Sequence, residues 1–168
     1  SSLALVRQHP EWFVVHGLVA GKDFNRLAAL AHEFKPKTIG IHDQTNLSAL
    51  KELVSALDCQ LVAGEAACSE IAAMPVDLVI AGISGLAGLP SVMAAVRAGQ
   101  TVAIANKESL VSAGVVVTRQ AMLSGAHILP IDSEHNAVFQ GWNGWKGHHS
   151  TDKTNGKMTE LSHICLTA

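Results

Sequence analysis

The chain has 168 residues, 48% of them hydrophobic and 15% charged, with a formal charge of −2. At roughly 100–200 residues per domain this is one domain, or one and the beginning of another, and a chain so apolar buries enough surface to fold, which excludes intrinsic disorder. The near-neutral balance, without a basic run, and an aromatic content of 4% with no tyrosine argue against nucleic-acid or membrane-surface partners and against a base-stacking platform.

Residues 1–8 read as a helix, with Leu3, Leu5 and Val6 apolar and a stop at His9-Pro10. They lack the basic start and long apolar core of a signal peptide. Residues 13–20 (FVVHGLVA) predict a valine-rich strand. Phe24–Phe34 predicts a helix, because Phe24, Leu27, Ala28 and Ala31 recur at i, i+3, i+4 and i+7. Residues 38–42 predict a short strand, 47–57 a helix with Leu47, Leu50, Val54 and Leu57 on one stripe, Gln60–Ala63 a strand, and 66–74 a short helix. Residues 77–81 read as a fully apolar strand. The most apolar stretch, 71–90, contains Pro75, Asp77, Gly82, Gly85 and Gly88, so it is a helix end, a strand and a turn and not a membrane span.

A helix over 89–98 closed by Gly99, a strand over 101–105 (TVAIA), a helix over Lys107–Ser124 closed by Gly125 and a strand over 127–131 complete the series. The run Val115-Val116-Val117 counts against the long helix, since β-branched side chains are poor helix formers. Residues 141–157 (GWNGWKGHHSTDKTNGK) lose all periodicity and read as a loop or domain connection. Trp142 and Trp145 supply either a small apolar anchor or a partner contact there, and His148-His149 reads as solvated. Residues 158–167 regain apolar character and read as a strand of a second domain, with His163 structural. Cys59, Cys68 and Cys165 are odd in number and share no C-x-x-C spacing, which indicates reduced thiols of a cytosolic protein.

Apolar strands separated by helices predict a parallel sheet buried on both faces. The fold class is therefore α/β: a Rossmann-like, doubly wound, mostly parallel sheet over residues 1–130, followed over 131–168 by the start of a second, α+β domain. Such a fold opens with a strand and a Gly-x-Gly turn, and both are expected ahead of Ser1.

Four segments carry the candidate chemistry. Gly82-Ile83-Ser84-Gly85-Leu86-Ala87-Gly88 follows a strand and precedes a helix, but its G-x-x-G-x-x-G spacing reads first as a tight turn. The strand over 13–20 ends in Gly21-Lys22-Asp23, where an acid suits the ribose of NAD and a cation the 2′-phosphate of NADP. Lys22 is placed for a phosphate or is an ordinary surface lysine, and Asp23 either faces the ribose or caps the next helix. Asn106-Lys107-Glu108-Ser109 opens a helix at the carboxyl edge of a strand. Asn106 suits a cap and Glu108 the helix dipole, but a cation such as Lys107 is unfavourable there without an anionic or polarised ligand. Asp132 and Glu134, two residues apart at the next strand's end, suit one hard divalent cation or are simple helix-start acids.

The blocks Ala105-Asn106-Lys107-Glu108-Ser109-Leu110-Val111 and Pro130-Ile131-Asp132-Ser133-Glu134-His135-Asn136-Ala137-Val138-Phe139-Gln140, with Leu18-Val19-Ala20-Gly21-Lys22 ahead of them, resemble the signature segments of the 1-deoxy-D-xylulose-5-phosphate reductoisomerase family. The resemblance implies an NADP-dependent oxidoreductase. With NADPH and Mg2+ or Mn2+, it converts 1-deoxy-D-xylulose 5-phosphate into 2-C-methyl-D-erythritol 4-phosphate, by skeletal rearrangement and then hydride reduction, in non-mevalonate isoprenoid biosynthesis. By matched position Asp132 and Glu134 are metal ligands, Lys107 and Ser133 contact substrate, and Gly21, Lys22, Asp23, Asn106 and Glu108 contact NADPH. Lys107, Asp132 and Glu134 form the catalytic set.

The resemblance further implies a bacterial cytoplasmic enzyme, a homodimer at full length, with a small phosphorylated sugar as substrate and no nucleic-acid or membrane partner. The family usually carries Asn where this chain has Asp23, and an acid there should repel the 2′-phosphate. The expected Gly-rich turn before Ser1 and a further acidic ligand after Ala168 make this chain a part of the enzyme, with little turnover alone. The alternatives are another NADP-dependent dehydrogenase of homoserine or semialdehyde type, which leaves Asp132-Ser133-Glu134 unexplained, and a non-catalytic nucleotide-binding fragment.

Overall fold

The computed structural model describes residues 2–149, with side chains through residue 141. Two compact units divide at Asp132/Ser133. The first contains α1 (Ser2–Gln8), β1 (Gly17–Ala20), α2 (Phe24–Phe34), β2 (Thr38–Ile41), α3 (Leu47–Leu53), β3 (Gln60–Ala63), α4 (Ala67–Ala72), β4 (Val79–Ala81), α5 (Leu89–Arg97), β5 (Thr101–Ile104), α6 (Lys107–Ser124) and β6 (His127–Pro130). The described part of the second is α7 (Ser133–His149).

All strand pairs are parallel, so each consecutive pair needs a crossover, which a helix supplies. The strands form two three-stranded sheets, ordered β1-β2-β3 and β4-β5-β6. Each sheet has its own buried cluster. Leu27, Ala28 and Ala31 of α2 and Leu50 of α3 pack on Ile39 and Ile41. Val92, Ala95 and Val96 of α5 and Val117 and Ala121 of α6 pack on Val102 and Ile104.

Helix α4 reaches both clusters. It packs on β1, β2 and α5, and Ala72 joins the second core. Gly17 and Gly40 make room for it: a β-carbon at either position would run into the side chain of Ile71. A cavity of about 810 Å3 separates β1 from β4, lined by Gly17, Leu18 and Val19 on one side and Leu78, Val79 and Ile80 on the other. Helix α1 buries none of its residues. Arg7 fastens it to α2 through a two-pronged pair with Glu33, one prong being Nη2 to Oε2 at 2.7 Å, and lies over the Phe34 ring.

Several expected boundaries shift, for local reasons. Strand β1 starts at Gly17 and not at Phe13, because its partner begins at Thr38, two residues after Pro36, which has no N–H for a ladder. Helix α3 ends at Leu53 and not at residue 57: Ser55 turns its hydroxyl onto the Glu52 carbonyl at 2.9 Å, a local bond that competes with helix continuation. Helix α6 keeps its expected bounds despite the valine run, with Asn106 as N-cap and Gly125 in the left-handed region at φ 74°. It bends at Ala113 (φ −132°), where Thr118 donates to the Gly114 carbonyl at 2.8 Å.

The loop expected from residue 141 is corrected. Residues 141–149 continue α7. Glycine lowers helix propensity by about 1 kcal/mol without breaking the ladder, and no proline interrupts 133–149. An i,i+4 pair, Gln140 Nε2 to Asn136 Oδ1 at 2.7 Å, supports the turn before it. His148 and His149 are therefore helical and not in a loop. The side chains of Trp142 and Trp145, residues 150–157, the expected strand within 158–167, His163 and Cys165 lie outside the described part. Cys59 and Cys68 are free thiols, and burial pushes both up from the ordinary thiol range, which disfavours the thiolate.

Candidate functional site

The carboxyl end of β1 delivers Gly21, Lys22 and Asp23, all exposed. Asp23 is the N-cap of α2, its Oδ1 accepting from the Arg26 backbone N–H at 2.9 Å. Its carboxylate is thus directed into a helix N-terminus, where the dipole offsets its charge. Gly21 has open space around it, so no neighbouring side chain restricts approach there.

The strand alongside ends in an acid that the sequence reading missed. Asp43 Oδ1 accepts from the Thr45 hydroxyl at 2.6 Å and the Thr45 backbone N–H at 3.1 Å. These bonds hold its carboxyl below the usual carboxylate range, with smaller contributions from Lys22 and His42. The Asp-x-Thr spacing was the available signal. Asn46 Nδ2 donates to the Lys22 carbonyl at 3.2 Å, which fixes the backbone behind Lys22.

At the other sheet, β5 runs into α6 through Asn106, Lys107 and Glu108. Lys107 is exposed and Glu108 half-buried in the first turn. Asn106 is buried, and its Oδ1 accepts from the Ser109 backbone N–H at 2.8 Å. Its Nδ2 donates to the carbonyls of Ile83 and, at 2.7 Å, Gly85. The Asn106 side chain is therefore bonded at both its oxygen and its nitrogen inside the protein. The hydroxyl of Ser109 is fully buried and has no partner among the described residues.

Asp132 follows β6 on the same edge. Ile104 pairs with Pro130, and the Ile131 N–H donates to the Ile104 carbonyl at 3.0 Å. Asn106 and Asp132 thus each stand two residues beyond paired positions on neighbouring strands. Asp132 is half-buried, with Oδ2 shielded and without a hydrogen-bond partner among the described residues. In the second unit Ser133 and Glu134 open α7, both exposed, and the Ser133 hydroxyl donates to Glu134 Oε2 at 3.1 Å.

The shielded carboxylate oxygen of Asp132 is a hard oxygen donor of the kind that suits Mg2+ or Mn2+. No group of three or more His, Cys, Asp or Glu that could hold a metal occurs among the described residues. No described helix is long and apolar enough to cross a membrane. Neither Lys107 nor Asp132 lines the cavity between β1 and β4.

Parallel strands with helical crossovers, and polar residues gathered at the strands' carboxyl ends, define a Rossmann-like α/β domain, a fold whose ligands sit at that edge. The sequence profile of the 1-deoxy-D-xylulose 5-phosphate reductoisomerase family matches residues 1–114, and the chain belongs to that family. It is 40% identical over all 168 residues to the 1-deoxy-D-xylulose 5-phosphate reductoisomerase of a Bradyrhizobium species, of which it covers 39%.

Solved structures agree. A DOX-P reductoisomerase in complex with NADPH, fosmidomycin and magnesium is 44% identical, with a TM-score of 0.79 over 83% of this chain and 35% of that one. The 1-deoxy-D-xylulose 5-phosphate reductoisomerase from Zymomonas mobilis in complex with NADPH is 40% identical, with a TM-score of 0.80 over 83% of this chain and 37% of that one. The chain thus spans about two fifths of the length of these relatives.

Proposed function

We propose that this chain is the nucleotide-side portion of a reductoisomerase that uses NADPH and a divalent cation to convert 1-deoxy-D-xylulose 5-phosphate into 2-C-methyl-D-erythritol 4-phosphate. Within it, the first unit serves the cofactor, and the segment from Ile131 onward opens the metal and substrate region. The observation that supports the reading is the parallel pairing of β5 with β6, Ile104 with Pro130, which puts Lys107 and Asp132 just beyond neighbouring strand ends on one edge of the sheet.

Lys22 offers a point charge to the 2′-phosphate of NADPH. The Asp23 carboxylate caps α2, and the helix N-terminus offsets part of its repulsion of that phosphate. Lys107 presents an ammonium group at the start of α6, where the helix N-terminus also favours negative charge, so substrate oxygens that gain charge meet two aligned sources of positive potential. Asp132 and Glu134 would hold the cation, and Ser133 orients Glu134. When bound, the cation supplies Lewis-acid stabilisation of oxyanion charge, and the nicotinamide supplies hydride. A cytoplasmic location and a homodimeric full-length protein belong to the same proposal.

Manganese titration of the chain, followed by electron paramagnetic resonance, tests the metal assignment. Binding is expected to weaken by about tenfold or more on Asp132→Asn, and equal binding by the variant would remove Asp132 from the set. In the full-length protein, Lys107→Ala is expected to lower NADPH oxidation with this substrate by about a hundredfold.

A further inference from the structure

The loop between β4 and α5 is built around the amide of one side chain from another part of the sequence. Asn106 is 2% exposed. Both of its N–H groups point at carbonyl oxygens, those of Ile83 and Gly85, and its own oxygen receives the Ser109 N–H. Turning the amide over would set an oxygen against two carbonyls and an NH2 group against an N–H, so the network permits one orientation.

The bonds continue outward from there. The Gly85 carbonyl also accepts from the Gly88 N–H at 3.2 Å, and the Gly88 carbonyl accepts from the buried Ser91 hydroxyl at 2.8 Å. The glycine spacing acquires a cause. Gly85 has φ +71°, and a β-carbon on Gly88 would collide with Asn106 Nδ2 and the Ile83 carbonyl. Two loops that are 21 and 23 residues apart at their bonded points are thereby fastened at the carboxyl ends of adjacent strands.

We propose that Asn106 is a positioning residue. It locks the 82–88 loop to the first turn of α6, so that the loop backbone and Lys107 hold a fixed mutual position. The functional half of this inference rests on the nucleotide-binding reading above; the structural half does not. With the lock in place, NADPH that leans on the loop meets a rigid wall. With the lock broken, the loop must be ordered at each binding event, and affinity falls.

Three variants separate the lock from the helix cap. Asn106→Asp keeps an acceptor for the Ser109 N–H and loses both donors. Gly88→Ala pries the lock from the loop side and leaves Asn106 intact. The double variant tests whether both act on one contact. In the chain without ligand, amide hydrogen exchange over residues 83–88 is expected to accelerate about tenfold in each single variant, and the double variant is expected to be little worse than either. The amides of 109–112 should stay protected in Gly88→Ala, which retains Asn106 Oδ1 as acceptor for the Ser109 N–H. Gly88→Ala also keeps the test decisive if Asn106→Asp fails to fold.

In the full-length protein, the NADPH dissociation constant, measured well below the melting transition, is expected to rise several-fold in the variants that fold, as loosening the binding wall requires. A return of affinity toward the original value is expected for Asn106→Gln if its longer amide regains one carbonyl. Unchanged exchange over 83–88 in the folded variants overturns the lock, and a loosened loop with unchanged NADPH affinity overturns the positioning role. If the unaltered full-length protein does not bind NADPH, the nucleotide-binding reading fails, and the exchange data alone still decide the lock.

Discussion

The two three-stranded sheets end in differently built edges. Beyond β1 and β2 the residues are exposed or half-buried and organised mostly by short-range bonds, Asp23 to Arg26 and Asp43 to Thr45, with one longer bond from Asn46 to the Lys22 carbonyl. Beyond β5 the organiser is buried, and its partners are backbone carbonyls more than twenty residues away. The first edge is presented to a ligand by local turn chemistry, the second by tertiary structure. An edge of the first kind tolerates exchange of its side chains, while one of the second kind loses its shape when a single amide is changed.

The largest expected effects test whether the halves are separate. Ile39 and Ile104 are 0% and 1% exposed, each in its own cluster. Truncation of either to alanine is expected to cost about 2–5 kcal/mol in urea unfolding, and the double variant should cost the sum within about 0.5 kcal/mol. Strong coupling between them would break the comparison.

Next in size is the local edge. Lys22→Ala is expected to weaken NADPH binding about tenfold, as loss of one charged contact does, in a calorimetric titration that leaves the melting temperature unchanged. Asp23→Ala is expected to cost about 1 kcal/mol through loss of the cap. Asp23→Asn keeps the cap, removes the acid near the phosphate and should bind NADPH at least as well; weaker binding by that variant would mean the carboxylate contributes directly.

The smallest effects are in acid. Arg7 holds the Glu33 carboxyl below its ordinary range, and Thr45 does the same for Asp43. A folded-state value below the unfolded one gives stability that is present above the unfolded pKa, about 4 for these groups, and is lost as pH falls through the folded value. Both groups are exposed, so Glu33→Gln and Asp43→Ala should only flatten the acid limb of a melting-temperature profile between about pH 5 and 2. A steeper limb in either variant would contradict the assigned causes.

How legible each edge was in the sequence follows from the same contrast. Helix α6 was readable end to end because its start and stop are single residues, Asn106 and Gly125, with a known stereochemical role. The Asp23 cap was readable as one of two options for the same reason. The bonds from Asn106 to Ile83 and Gly85 were not, because a carbonyl acceptor leaves no mark on residue identity; Gly88 was visible only as turn punctuation. Strand β1 was overextended because the limit set by Pro36 lies on a partner strand. The helix across 141–149 was missed because glycine, a weak helix former, was weighed as if it were a breaker.

Ile71 has a consequence for how the first unit comes apart. Its side chain sits in two backbone notches, at Gly17 and Gly40, while Ala72 beside it belongs to the other core. Each half is contiguous in sequence and assembles from near neighbours, so cooperativity between them runs through α4, which packs on β1, β2 and α5 and is seated by Ile71. Ile71→Ala should split a single calorimetric endotherm into two. One sharp endotherm in that variant would place the coupling elsewhere.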